Sequence, residues 1–218
     1  MNKLITSLAV ILLTFSFARA QDKTQEMEDL LQTTFAKFDT TLNVAVMMPL
    51  STELDLIAEK YSDQWVAQYY AAYAKVMIAY MEPDVAKKDL ILDEGDLFLE
   101  NIEAMNIQNE ERYIIAAMLA NSRMAVDGEH RWKEYGPIFD ENLKKAKEIN
   151  PDNPHIYYLK GTALFYTPKM FGGGGKKALP YFEKAKALFP KMDKTNMLIP
   201  FWGEDKNTYY MGEISKEK

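Results

Sequence analysis

Between Thr24 and Asn43 the apolar residues Met27, Leu31, Phe35, Phe38 and Leu42 follow at steps of four, four, three and four, the spacing that lines one face of an α-helix. From Ser62 to Met81 the series Trp65, Tyr69, Tyr73, Val76 and Tyr80 repeats that spacing, while Val66, Tyr70, Met77 and Met81 fill the adjoining stripe. A helix apolar on two sides needs neighbours on both, so this one is predicted to lie between others. The run from Val85 to Met105 carries Ile91, Phe98, Ile102 and Met105 as its apolar stripe, and a further helix is predicted over about Glu110 to Val126. The stretch "DGEHRWKEYGP" then reads as a break, with Pro137 at the first position of the next helix, where its missing N–H matters least. "EINPDNP" closes that helix at Asn150 and Pro151 and opens another, with Asn153 as cap and Pro154 just inside it. No stretch alternates with period two between hairpin turns. The pattern therefore predicts an all-α chain of antiparallel helix pairs joined by short turns, and assigns no element between residues 44 and 61.

An internal repeat supports this reading. "FDENLKKAKEINP" sets Phe139, Leu143, Ala146 and Pro151 at relative positions 1, 5, 8 and 13, and "ALPYFEKAKALFP" sets Ala178, Phe182, Ala185 and Pro190 at the same positions, 39 residues later. Upstream of the second copy, Tyr157, Gly161 and Leu164 give a large, small, large series that lets two helices approach closely. Between these helices lies "YTPKMFGGGGKK". A phosphate-binding loop would need a glycine where Met170 stands, Ser or Thr where Lys177 stands, and a strand before it. The glycines are instead expected to form the turn that reverses the chain between two helices.

The amino terminus changes the picture of compartment. "MNKLITSLAVILLTFSFARA" has Lys3 ahead of an apolar run from Leu4 to Phe17 and ends in Ala18-Arg19-Ala20, the form of a secretory signal peptide. Its apolar run is shorter than the roughly 20 residues that span a bilayer. Cleavage after Ala20 is expected, leaving residues 21–218 as one domain, periplasmic or secreted, with no insertion in the membrane. The chain has no cysteine, hence no lipid-modified cysteine and no disulfide framework. Without Lys3 and Arg19 the 26 basic residues fall to 24 against 32 acidic ones, a balance of −8, which gives no electrostatic reason to bind nucleic acid or an anionic surface.

The stretches "QWVAQYYAAYAKVMIAY", "RMAVDGEHRWKEYGP", "INPDNPHIYYLKGTALFYTPKMFGGGGKKALPYFEKAKALFP" and "IPFWGEDKNTYY" resemble those of exported, tetratricopeptide-like bacterial envelope proteins. In such proteins a Thr-Pro, a short spacer and Phe-Gly-Gly-Gly form the helix turn, as Thr167, Pro168, Phe171, Gly172, Gly173 and Gly174 do here, although His155 stands where an arginine is frequent. A fainter likeness is to the tetratricopeptide component of TRAP-type transporters. The resemblance implies a right-handed α-solenoid and an envelope location, and it brings no established chemistry.

Candidate chemistry is sparse. His130 and His155 are the two histidines, and neither has a second ligand at a recognisable spacing. No Gly-x-Ser-x-Gly elbow occurs, and Asp93, Glu94 and Asp96 read as a solvated helix face. No catalytic residue, metal site or cofactor is expected. Aromatic residues are the better lead, since they offer large contact areas with polar tips. With Gly161 as the packing position of its repeat, His155, Tyr158, Thr162 and Phe165 are expected along a concave groove, with Trp65, Tyr69, Tyr70 and Tyr73 lining an earlier part of it. Trp132 and the pair Phe201-Trp202 are expected to cap the stack. The resulting expectation is a non-enzymatic binding or scaffolding protein that recognises a peptide or protein segment in the envelope; the alternative is a small-ligand-binding accessory to uptake, with an aromatic-lined cavity.

Overall fold

The computed structural model describes the backbone of residues 2–216 and the side chains of residues 21–216. The leader expected at residues 1–20 lies outside the residues whose side chains are described. The described residues form helices and no strands: α1 Asn2–Asp39, α2 Val44–Lys60, α3 Trp65–Met81, α4 Val85–Ala104, α5 Glu110–Val126, α6 Gly128–Ile149, α7 Pro154–Tyr166, α8 Gly175–Leu188 and α9 Glu204–Lys216.

Consecutive helices pack on one another, most extensively α5 on α6, α3 on α4 and α7 on α8, and the odd-numbered helices also touch in series, α1 on α3, α3 on α5 and α5 on α7. The helix with two apolar stripes is the central one: thirteen of the 17 residues of α3 are buried. Its alanines, Ala67, Ala71, Ala72, Ala74 and Ala79, are all buried and let neighbouring backbones come close. Lys75, buried on the same helix, is neutralised by Asp55 of α2 at 2.6 Å and Glu94 of α4 at 2.8 Å, which ties three helices together. The repeat positions Phe139, Leu143, Ala146, Ala178, Phe182 and Ala185 are buried throughout. Gly161 lies under Phe182, where a Cβ would come within 2.8 Å of the ring.

Caps explain several boundaries. Asn153 Oδ1 accepts from the His155 N–H at 2.9 Å ahead of α7, and Asn109 Oδ1 accepts from the Glu111 N–H at 2.5 Å ahead of α5. Three features depart from the sequence expectation. α2, unassigned by the pattern, is a full helix with Pro49 inside it, held by the burial of Met47, Leu50, Leu54 and Ile57. The stretch read as a break is the first half of α6; Asp127 caps it by accepting from the His130 N–H, and Pro137 lies within the helix rather than at its start. In α4 the buried stripe is Leu92, Gly95 and Ile102, so Ile91 and Phe98 sit at its margin.

The glycine stretch joins α7 to α8 through a single 3-10 turn at Lys169–Phe171. Gly172 and Gly174 have φ of +87° and +93°, values that side chains resist. The amides point inward: Gly172 N–H donates to the Lys169 carbonyl, Gly173 to Pro168 and Gly174 to Leu164. A loop whose N–H groups are spent internally, between two helices, has none of these amides left to cradle a phosphate. A Cβ on Gly173 would lie 2.1 Å from the Thr167 carbonyl oxygen. Gly173→Val is therefore expected to destabilise the α7–α8 pair by about 1–3 kcal/mol, the usual scale of overpacking, whereas Lys176→Gln with Lys177→Gln, both exposed, should leave the melting temperature nearly unchanged. Thermal melts of the two variants check this.

Candidate functional site

Six of the eight side chains expected along the groove are buried: His155, Tyr69 and Tyr73 have no exposed surface, Tyr70 almost none, and Tyr158 and Thr162 little. All of them but Thr162 meet the chain's own C-terminal segment. Trp202 sits against Tyr73 at 5.3 Å between ring centroids, against Tyr158 at 5.8 Å, and flat on His155 at 3.9 Å with 3° between the planes. Its indole N–H donates to the Tyr69 hydroxyl at 2.9 Å. His155 Nε2 lies 3.2 Å from the Trp202 carbonyl oxygen and Nδ1 lies 3.3 Å from Glu111 Oε1. Thr162 bonds the Leu159 carbonyl. The inner face expected to be an open groove is thus filled by the chain itself. Trp202, expected to cap the stack, is instead the plug at its centre, and Trp132, also expected as a cap, is 54% exposed.

Burial raises the hydroxyls of Tyr69, Tyr73 and Tyr158 well above the ordinary tyrosine range, with further help from the charge of Glu111 on Tyr69 and of Asp39 on Tyr73. Tyr70 is raised in the same way by burial and then by Glu111. These rings are structural acids, held neutral.

The remaining two of the eight, Trp65 and Phe165, reach the surface in part. Phe165 leads to an exposed aromatic face. Its ring packs on Tyr166 at 5.3 Å and on Tyr210 at 5.2 Å; Tyr166 meets Tyr210 edge-on at 6.0 Å with their hydroxyls 3.1 Å apart, and Tyr209 adjoins Tyr210 at 5.6 Å. Tyr210 is anchored from below by stacking on Phe182 at 5.3 Å. Tyr80, at the end of α3, lies near Tyr210, and its hydroxyl accepts from Asn121 Nδ2 at 2.8 Å. Tyr166 is 70% and Tyr209 62% exposed, and Met170 and Phe171 project from the turn that follows Tyr166. Exposed aromatic clusters of this kind mark recognition surfaces more than stability, since each ring forfeits burial. Burial, and then the hydroxyl of Tyr166, raises Tyr210. It therefore stays protonated at ordinary pH and offers a ring face and a neutral hydroxyl, not a phenolate.

The sequence reading missed this face because Tyr80 read as part of a helix stripe, and nothing in the chain order ties Tyr166 to residues 209 and 210. The doublets Phe165-Tyr166 and Tyr209-Tyr210, each on the last or middle turn of a helix, are the signal that was available.

Charged groups elsewhere are accounted for by structure. Asp93 and Asp96 each lie 2.5 Å from Arg123, Asp89 joins Arg123 and Arg131, and Glu94 pairs with Lys75. His130 rests against Asp127 at 2.9 Å. Among the described residues no three His, Asp or Glu side chains are grouped to hold a metal ion, and no helix is long and apolar enough to cross a membrane.

No protein-family model matches the chain, and no curated protein matches it. Among solved structures it is similar to the HusA haemophore from Porphyromonas gingivalis, with 27% sequence identity and a TM-score of 0.73 over 89% of this chain and 94% of that one. That neighbour is a binding protein, and the correspondence runs over nearly the whole length of both chains.

Proposed function

We propose that this chain is a non-enzymatic carrier of a flat, conjugated, apolar ligand of the porphyrin class, held on the tyrosine face of Phe165, Tyr166, Tyr209, Tyr210 and Tyr80. The observation that carries the reading is the near end-to-end likeness to a haemophore, a carrier of haem by that word. The exposed face supports it physically: ring faces favour stacking on a planar ligand, and the hydroxyls suit its polar edge. Of the two sequence readings, the small-ligand accessory to uptake is favoured over capture of a partner peptide, because Trp202 already fills the inner face. The same reading has the helix pairs stacked as a tetratricopeptide-like solenoid and the chain exported, without residues 1–20, to the periplasm or beyond.

His155 is buried with both ring nitrogens engaged, and His130 rests against Asp127. Stacking, rather than a histidine–iron bond, therefore supplies the affinity. Absorption titration with iron protoporphyrin and with its iron-free form should show saturable binding of both, within about tenfold of one another, a difference of about 1.4 kcal/mol. Tyr166→Ala should weaken both by about tenfold, since one stacked ring contributes on the order of 1 kcal/mol. Tyr157→Ala, at the other end of α7, should not. No saturable binding of either porphyrin by the wild type would overturn the reading.

A further inference from the structure

Charge is unevenly placed along the chain. Residues 154–191, which make α7, the glycine turn and α8, carry seven lysines and one glutamate, a balance of +6 inside a chain whose balance without residues 1–20 is −8. The chain as a whole has no attraction to an anionic surface, but this hairpin does. Lys160 is paired with Asp140 at 2.7 Å and Lys184 lies 3.9 Å from Asp152. Lys176, Lys177 and Lys186 are exposed and have no ion-pair partner among the described residues. Lys176 and Lys177 stand in the first turn of α8, the end of a helix dipole that favours acids and disfavours cations. The helix gains nothing from them, which points to an anion outside the chain. The one acid of the hairpin, Glu183, is about two turns into α8, and Glu213, beyond Tyr209 and Tyr210, is already paired with Lys216 at 2.6 Å.

The tip of the same hairpin is apolar. Met170 is 83% and Phe171 72% exposed, side by side on the 3-10 turn. A Cβ on the following Gly172 would meet nothing within 4 Å, so the tip projects into open solvent. Its shape is set in advance, because Gly173 N–H donates to the Pro168 carbonyl at 3.2 Å and Gly174 N–H to the Leu164 carbonyl at 2.8 Å. Docking this tip therefore orders little that is not ordered already. The exposed rings of Tyr166 and Tyr209 lie beside it, and such rings favour the layer between water and hydrocarbon.

We propose that the α7–α8 turn docks the chain on the surface of a bilayer rich in anionic lipid, with Met170 and Phe171 seated among the headgroups and Lys176 and Lys177 against the lipid phosphates. Cations around a projecting apolar tip match a surface that is anionic outside and apolar beneath. Nucleic acid would offer the charge without the apolar layer. No helix among the described residues is long and apolar enough to cross a membrane, so the contact is attachment at the surface. It rests on the turn and not on the porphyrin reading.

The test is co-sedimentation of residues 21–218, the expected exported form, which keeps the whole described core from Met27 onward. The vesicles are phosphatidylcholine alone, and phosphatidylcholine with phosphatidylglycerol in equal parts. Binding to the mixed vesicles should be at least about tenfold tighter and should weaken at high salt. Lys176→Gln with Lys177→Gln should weaken it about tenfold or more, at roughly fivefold per lysine. Met170→Ser with Phe171→Ser should weaken it by a similar factor. All these positions are exposed, so both variants should melt as the wild type does. Lys144→Gln with Lys145→Gln, the same change of charge on the exposed side of α6, should alter binding less than about twofold. Equal binding to the two kinds of vesicle, wild-type binding by either turn variant, or an equal loss in the α6 variant would overturn the proposal. No porphyrin enters the measurement, so its failure would leave the porphyrin reading standing.

Discussion

Trp202→Ala is expected to lower the free energy of unfolding by about 3–5 kcal/mol, the range for truncating a large buried aromatic side chain. The indole is 2% exposed and joins elements far apart in the chain, α3 through Tyr69 and Tyr73 and α7 through His155 and Tyr158. Truncation leaves a cavity among four rings and removes the donor to a buried hydroxyl. Trp202→Phe retains most of the volume and loses the indole N–H, so about 0.5–1.5 kcal/mol of the effect should remain. Trp132→Ala, at an exposed position, should change stability by less than about 0.5 kcal/mol. Urea unfolding reads all three as shifts in midpoint at constant slope. A Trp202→Ala protein with the wild-type midpoint would mean that the segment before α9 is not seated on the inner face.

Alkaline unfolding should be unusually steep and begin near pH 10. Tyr69, Tyr70, Tyr73, Tyr158 and Tyr210 all have hydroxyls raised by burial. In the unfolded chain a tyrosine releases its proton near pH 10. Below that pH both states hold these protons and the contribution to stability is fully present. Above it the unfolded state loses them while the folded state keeps them, so stability falls as pH rises towards the folded values. Each tyrosine contributes about 1.4 kcal/mol per pH unit, so five give a slope of up to about 7 kcal/mol per unit. Lys206, whose ammonium is pushed down by burial, acts in the opposite sense, but it is one group and its effect is complete near the ordinary lysine value. Tyrosinate absorbance and helical circular dichroism should change together in one cooperative step. Independent ionisation of these tyrosines near pH 10 with helix retained would contradict the burial described.

Much of the helical frame was legible because its signals are local. The α5 boundaries, the Asn153 cap of α7 and the close packing of Gly161 on the next helix follow from spacing and from residue types at helix ends. α2 was not legible, since Pro49 disguises a helix that tertiary burial holds in place. The break expected before Pro137 failed for a related reason, as Asp127 caps the chain ten residues upstream of the proline that suggested a start. The aromatic residues singled out were expected to line an open groove for a partner. His155, Tyr158, Tyr69 and Tyr73 do surround an extended segment, but that segment is the chain's own. A partner more than 40 residues away from every one of them leaves no periodic trace. The exposed tyrosine face escaped for the same reason, because residues 165–166 and 209–210 are joined through the packing of α9 on α8.

The proposed carrier role rests on where a planar ligand sits, and a crystal structure of the chain grown with iron protoporphyrin tests that most directly. The expected result is a porphyrin ring stacked on the face of Tyr166, Tyr209 and Tyr210, with Trp202 still seated on His155. A porphyrin bound on the inner face after expulsion of Trp202, or at a site that touches none of those three tyrosines, would contradict it.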